Sequence, residues 1–203
     1  EYSWLKKFNV SFLEPALNNR TEFEYLPQWS NFERSESDPL TYELGYVGDM
    51  NRRVKLFEKY FREVTTLWPE INVSFYSEDF TETTKINEWN KDNIVKSRQE
   101  LYDFLFTVLI DSPHNIEIGY LPNNLFEYMK YGAVPLCPIE QKYFQGMFPS
   151  LVVSKSSEVE YFIRSFENLR EVLIDDIFEN IKKKYPEFTL EYACDKIKRK
   201  LII

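Results

Sequence analysis

Apolar residues recur along this chain in two rhythms, and from Leu44 onward the two alternate. The run YELGYVGD is short and apolar and is ended by Gly48 and Asp49, which predicts a strand and its turn. In NRRVKLFEKYFREVTTLW, residues Val54, Phe57, Tyr60, Phe61 and Val64 fall at helical intervals. INVSFYSED predicts a second strand that ends in acidic residues, SRQELYDFL a helix, and FTVLIDS a nearly continuous apolar strand. NLFEYMKYG predicts a short helix, AVPLCP and SLVVS two further strands, and SEVEYFIRSF a helix opened by Ser and acidic residues. The remaining stretch predicts two helices split around Pro186. Strands alternating with helices imply an α/β fold: βαβ units forming a mostly parallel sheet with helices on both faces. Such sheets bind ligands beyond the C-terminal ends of their strands, so the loops in LIDSPHN and YVGDMNRR are expected on one edge.

Residues 1–40 read differently. NVSFLEPAL and EFEYLPQWSNF are short apolar runs broken by Pro15, Pro27 and Pro39, and NFERSESDPL is a polar stretch of the kind that separates domains. The organisation expected is therefore the end of a preceding domain or a linker at 1–40, the alternating domain at 41–185, and a terminal helix at 186–203. The chain opens on Glu1 without Met and shows no signal peptide, so an upstream part is expected to be missing.

Composition narrows the class. The 203 residues carry a net charge of −8, which argues against wrapping a nucleic-acid backbone; the dense basic spots are Lys96 to Arg98 and Lys196 to Lys200. Five glycines leave little room for a glycine-rich phosphate loop, and no G-x-G-x-x-G, G-x-x-x-x-G-K-[ST] or G-x-S-x-G occurs. One histidine and two separated cysteines cannot build a Cys/His zinc cluster, and the cysteine usage fits a reducing cytoplasm. No apolar run is long enough to span a membrane.

The candidate chemistry gathers at the predicted strand ends. Asn123 and Asn124 stand where a helix begins, with unpaired amides that favour an anion, and Glu127 follows in the first turn. If the anion is a diphosphate, a carboxylate there can accept two hydrogen bonds from a vicinal diol such as ribose; acidic residues in a first turn also simply stabilise helices. Arg52 and Arg53 follow the first strand's turn and suit a phosphate, or lie on the surface of an amphipathic helix. Lys55 and Lys59 lie further along the same helix. His114 sits in the loop after VLIDS, with Asp111 the near residue able to orient it.

At LPNNLFEYMKYGAVPLCP the chain resembles the C-terminal, donor-binding half of GT-B glycosyltransferases. Phe126, Glu127, Gly132 and Pro135 keep that family's spacing of Glu-x-x-x-x-Gly-x-x-Pro. YELGYVGDMNRRVKLF resembles the first strand and helix of such a domain, and SLVVSKSSEVEYFI its last strand and helix. FEYLPQWSNF resembles the close of the N-terminal, acceptor-type domain, and YPEFTLEYACDKI the helix that crosses back toward it. The resemblance implies a Rossmann-like fold and a hexose moved from a nucleoside diphosphate sugar such as a UDP-sugar to a hydroxyl acceptor, without cofactor or metal. No Asp-x-Asp pair is present to grip a metal.

Carried over by position, Glu127 binds the ribose, Asn123 and Asn124 offer amides to the diphosphate, and Arg53 or Arg52 neutralises the leaving phosphate. Ser112, His114 and Tyr120 line the cleft. The sequence departs from the family pattern in two places: a second Glu expected eight residues before Glu127 is Gly119, and no Lys lies five residues after an Arg of the pair. The glycine-poor style, rich in Lys, Asn, Tyr and Phe, is phage-like, which adds a modified DNA base to glycans and lipids as acceptors. The alternative is a non-catalytic nucleotide-sugar-binding or interaction module of the same fold.

Overall fold

The computed structural model describes residues 13–14, 24–25, 40–48, 50, 52–77, 102–122, 124–148 and 150–201. Within 1–39 it describes a parallel bridge between Leu13–Glu14 (β1) and Glu24–Tyr25 (β2). The expected preceding domain or linker otherwise lies outside the described residues, as does most of the helix predicted at SRQEL. Five strands follow: Tyr42–Val47 (β3), Val73–Tyr76 (β4), Phe104–Val108 (β5), Val134–Pro138 (β6) and Val152–Val153 (β7). They form one sheet in the order β4-β3-β5-β6-β7, and every pairing is parallel.

Helices stand between β3 and β4 and between β5 and β6 as the pattern predicts, while the β4–β5 connection lies largely outside the described residues. The first, α1, runs over 54–67 and is α-helical at Val54–Phe57 and Glu63–Leu67, with a π-turn at Glu58–Arg62 between. Next come Pro113–Glu117 (α2), Leu125–Lys130 (α3), Ser156–Phe166 (α4), Arg170–Lys184 (α5) and Leu190–Leu201 (α6). Pro186–Phe188 forms a short 3-10 turn that splits the last two helices where the proline predicts. No helix among the described residues is long and apolar enough to cross a membrane.

The two faces of β3 show why both sides of the sheet are covered. Tyr46 points toward α1, its ring 5.8 Å from Phe57, 5.6 Å from Phe61 and 5.9 Å from Phe75. The alternate position, Gly45, lies under the ring of Phe104, which in turn meets Tyr128 of α3 at 5.8 Å. Successive strand residues face opposite ways, so α1 and α3 lie on opposite faces. All of these aromatic side chains are buried, and they dominate the core as a phenylalanine- and tyrosine-rich composition suggests.

Two local rules account for the region around α3 and β6. Gly132, at φ 87, ends α3: its N–H reaches Met129 O at 3.1 Å and the Ala133 N–H reaches Tyr128 O at 2.9 Å. That is a helix stop requiring a left-handed residue, which glycine supplies without a Cβ penalty. Pro135 stands inside the sheet, where a missing N–H is ordinarily costly. The neighbouring donors of the same parity, Cys137 N and Ile139 N, bond toward β7 at 2.8 Å each, to Leu151 O and Val153 O. A donor at 135 would point that way too, before β7 begins at Val152, so proline forfeits nothing there.

Two expectations need correction. Phe104 and Leu105 belong to β5 rather than to the end of a helix, because parallel pairing with Tyr42 captures them. The loose loop expected after LIDS folds into α2, with the Ser112 hydroxyl accepting from Asn115 N at 3.2 Å and Pro113 in the first turn.

Candidate functional site

The strand order reverses direction between β3 and β5: β4 lies on one side of β3, and β5, β6 and β7 follow on the other. At such a switch point the connections leave in opposite directions and a crevice opens beyond the strand ends. The register shows it opening. β3 pairs with β5 at Tyr42↔Phe104 and Leu44↔Phe106, and no pairing is recorded beyond them.

A strand end that loses its neighbour must satisfy its backbone otherwise. Tyr128 of α3 does this for Val47: its hydroxyl accepts from Val47 N at 3.2 Å and donates to Val47 O at 2.7 Å. The Asn124 side-chain amide also donates to Val47 O. Asn124 and Tyr128 are four residues apart, so both project from one side of α3. Asn124 therefore braces a strand end and makes no side-chain cap to its helix, contrary to the N-cap role its position suggests. Burial pushes the Tyr128 phenol up, keeping it protonated and able to donate. Tyr128→Phe removes both bonds to Val47 and is expected to lower stability by about 1–2 kcal/mol in a urea titration.

The crevice has a volume of about 360 Å³, at the small end of ligand sites. Its β3 wall is Tyr46, Gly48 and Arg53, and its β5 wall runs from Val108 to Asp111. Asn115 of α2, Tyr120 and Pro122, and then Asn124 and Tyr128 of α3 complete it.

Among the described residues, charge in the crevice resides in one pair. The Arg53 guanidinium donates to Asp111 Oδ1 through Nε at 3.1 Å and through Nη2 at 2.8 Å. The same oxygen accepts from Ser112 N at 2.7 Å and from Asn115 Nδ2 at 2.9 Å. Asp111 is 1% exposed, and its Oδ2 has no partner among the described residues. Burial works against the Arg53 charge, but Tyr46 and Asp111 outweigh it and hold its pKa above the ordinary value. Burial likewise pushes the Tyr46 phenol up.

Of the residues singled out in the sequence, Arg53, Tyr120 and Asn124 line the crevice. Arg52 is exposed and Glu127 half-buried on α3, and both lie outside the lining. His114 is exposed on α2 and shares no hydrogen bond with Asp111, whose Oδ1 is taken by Arg53, Ser112 and Asn115. Ser112 caps α2. Asn123 lies outside the described residues. Lys59, six residues after Arg53, donates to Glu140 at 2.8 Å and to the Tyr60 hydroxyl at 2.9 Å rather than lining the crevice. The pattern alone does not single out Tyr46, Asn115 or Tyr128. The four-residue spacing from Asn124 to Tyr128 and the acid closing LIDS are the signals that point to Tyr128 and to Asp111's wider role. Burial pushes the Cys137 thiol up to about 12, helped by Glu140, so it is no thiolate nucleophile at neutral pH.

The fold and the position of the crevice define a parallel, Rossmann-like α/β domain with a crevice at its switch point. No protein-family model matches the chain, and no curated protein matches it. Among solved structures it is similar to TarM, a glycosyltransferase, with a TM-score of 0.62 and 14% sequence identity. The likeness covers 89% of this chain and 39% of TarM, so the chain spans about two fifths of that protein. At this identity the likeness is one of fold. The departure at Gly119 also has a local reason: the residue is buried at φ 68, a conformation in which glutamate is strained.

Proposed function

We propose that the chain is the donor-binding part of a glycosyltransferase that moves a hexose from a nucleoside diphosphate sugar to a hydroxyl acceptor. The observation that carries this reading is the crevice at the switch point of a TarM-like fold, with an arginine in its wall. Transfer of a hexose turns the nucleoside diphosphate into a leaving group, and the negative charge that develops on it needs a cation. Arg53 in the crevice wall, or its chain neighbour Arg52, meets that need without a metal. The nucleotide lies along the ends of β3 and β5, with Tyr120 and Asn124 against it. Glu127, one turn into α3, takes the ribose diol at the rim. The acceptor is a glycan, a lipid or a modified DNA base, presented from a part of the enzyme beyond this domain.

Calorimetric titration with UDP, GDP and their sugars tests the reading. One nucleotide series is expected to bind, and Glu127→Ala to weaken it about tenfold, the loss of one hydrogen bond to a charged group. Absence of binding by either series rejects the donor site; unchanged affinity in Glu127→Ala rejects that residue's role alone.

A further inference from the structure

Resting on the donor-site reading, we propose that Asn115 and Asn124 are specificity residues: each turns its side-chain carbonyl to the crevice and accepts from a neutral O–H or N–H group of the ligand. Both line the crevice, one on α2 and one at the start of α3, and both are half-buried. A carboxamide carries a donor nitrogen and an acceptor oxygen on one planar carbon, so fixing one end fixes the other. Asn115 Nδ2 donates to Asp111 Oδ1 at 2.9 Å. Asn124 Nδ2 donates to the Val47 carbonyl. Neither amide can be turned over. Reversal would set a carbonyl oxygen against a carboxylate in one case and against a strand carbonyl in the other, two acceptors with no proton between them.

The nitrogen ends also face inward. Asp111 is 1% exposed and Val47 8%, so the nitrogens bonded to them are turned to the wall. What each half-buried carboxamide shows to the crevice is then its carbonyl. Asn115 is held further by its own backbone: its N–H donates to the Ser112 hydroxyl at 3.2 Å, and its main-chain carbonyl accepts from Tyr120 N at 2.8 Å. Two fixed acceptors do not suit a diphosphate, whose oxygens are acceptors as well. They suit the parts of a nucleotide sugar that donate: a ring N–H of the base, as in uracil or guanine, or a hydroxyl of the hexose.

The test is calorimetric titration of the full chain and its Asn115→Leu and Asn124→Leu variants with UDP, GDP, UDP-glucose and GDP-mannose. Each variant is expected to bind about tenfold more weakly, the loss of one hydrogen bond. A loss already present with UDP or GDP puts the donor on the nucleoside; a loss that appears only with the hexose attached puts it on the sugar. Deleting the donor from the ligand separates recognition from structure. The diphosphates of 3-methyluridine and 1-methylguanosine, or nucleotide sugars with deoxyfluoro hexoses, are expected to cost the parent about tenfold and the corresponding variant nothing further. A variant that binds as the parent does overturns the assignment of that residue while leaving the donor site standing. A parent indifferent to every donor-deleted ligand, or variants as sensitive to them as the parent, overturn the proposal. A parent that binds none of the four ligands overturns it together with the donor site.

Discussion

Asp111→Ala is expected to lower the stability of the chain by about 3 kcal/mol, read as a shift of the midpoint in a urea titration. The carboxylate is 1% exposed and one of its oxygens takes four donors: two from Arg53, one from Ser112 N and one from Asn115. Alanine leaves all four without that acceptor, and the Arg53 side chain, 20% exposed, reaches water only in part. The loss is therefore mostly the penalty of stranded partners, not the intrinsic worth of the pair. That distinction is measurable. Replacing both members together, Arg53→Met with Asp111→Leu, is expected to cost far less than Asp111→Ala alone, because no buried charge is left behind. An Asp111→Ala protein that unfolds with the parent would show that the pair carries no such constraint.

Gly45→Ala is expected to be nearly as damaging, at about 2–3 kcal/mol in the same titration. A Cβ on Gly45 would stand 2.0 Å from Phe104 Cδ1, 2.1 Å from its Cγ and 2.6 Å from its Cε1. The ring is fully buried, with Tyr128 at 5.8 Å and Tyr102 at 6.4 Å, so it has nowhere to retreat. Relief must come from moving β3 away from β5, the two strands whose ends form the crevice. Shrinking the obstacle identifies the cause: Phe104→Leu added to Gly45→Ala is expected to recover part of the loss. No recovery would place the damage elsewhere than at this ring.

The order of strands and helices from Leu44 onward was legible because each element has one apolar face against the same core. β3, β4, β6 and β7 stand where the apolar runs place them, and α1 carries the apolar positions read at helical spacing. The boundary before β5 was harder. Tyr102, Phe104 and Leu105 suit a helix or a strand equally, and pairing with Tyr42, far away in sequence, decides for the strand.

The site was legible in a different sense. Strand ends and an arginine-bearing turn locate the crevice, because sheet topology dictates where ligands go. Which side chains face it depends on angles that spacing does not encode. Asn124 reads as a helix cap and instead braces Val47, because a strand backbone left without β5 needs it more. Asp111 reads as a partner for His114 and instead holds Arg53. In both cases a distant group outbids the near one.

The pairing that creates the crevice also spans more sequence than any other in the five-stranded sheet. Thr41 N donates to Asp103 Oδ1 at 2.7 Å across 62 positions, beside the first rungs between β3 and β5. With every rung of the ladder parallel, no tight hairpin can start the process, and long closures must precede the contacts that reward them. A chain emerging from its N-terminal side holds β3 and β4 with one flank of β3 bare until Phe104–Val108 arrives. The crevice is thus a late acquisition of folding: a half-assembled molecule has no mouth.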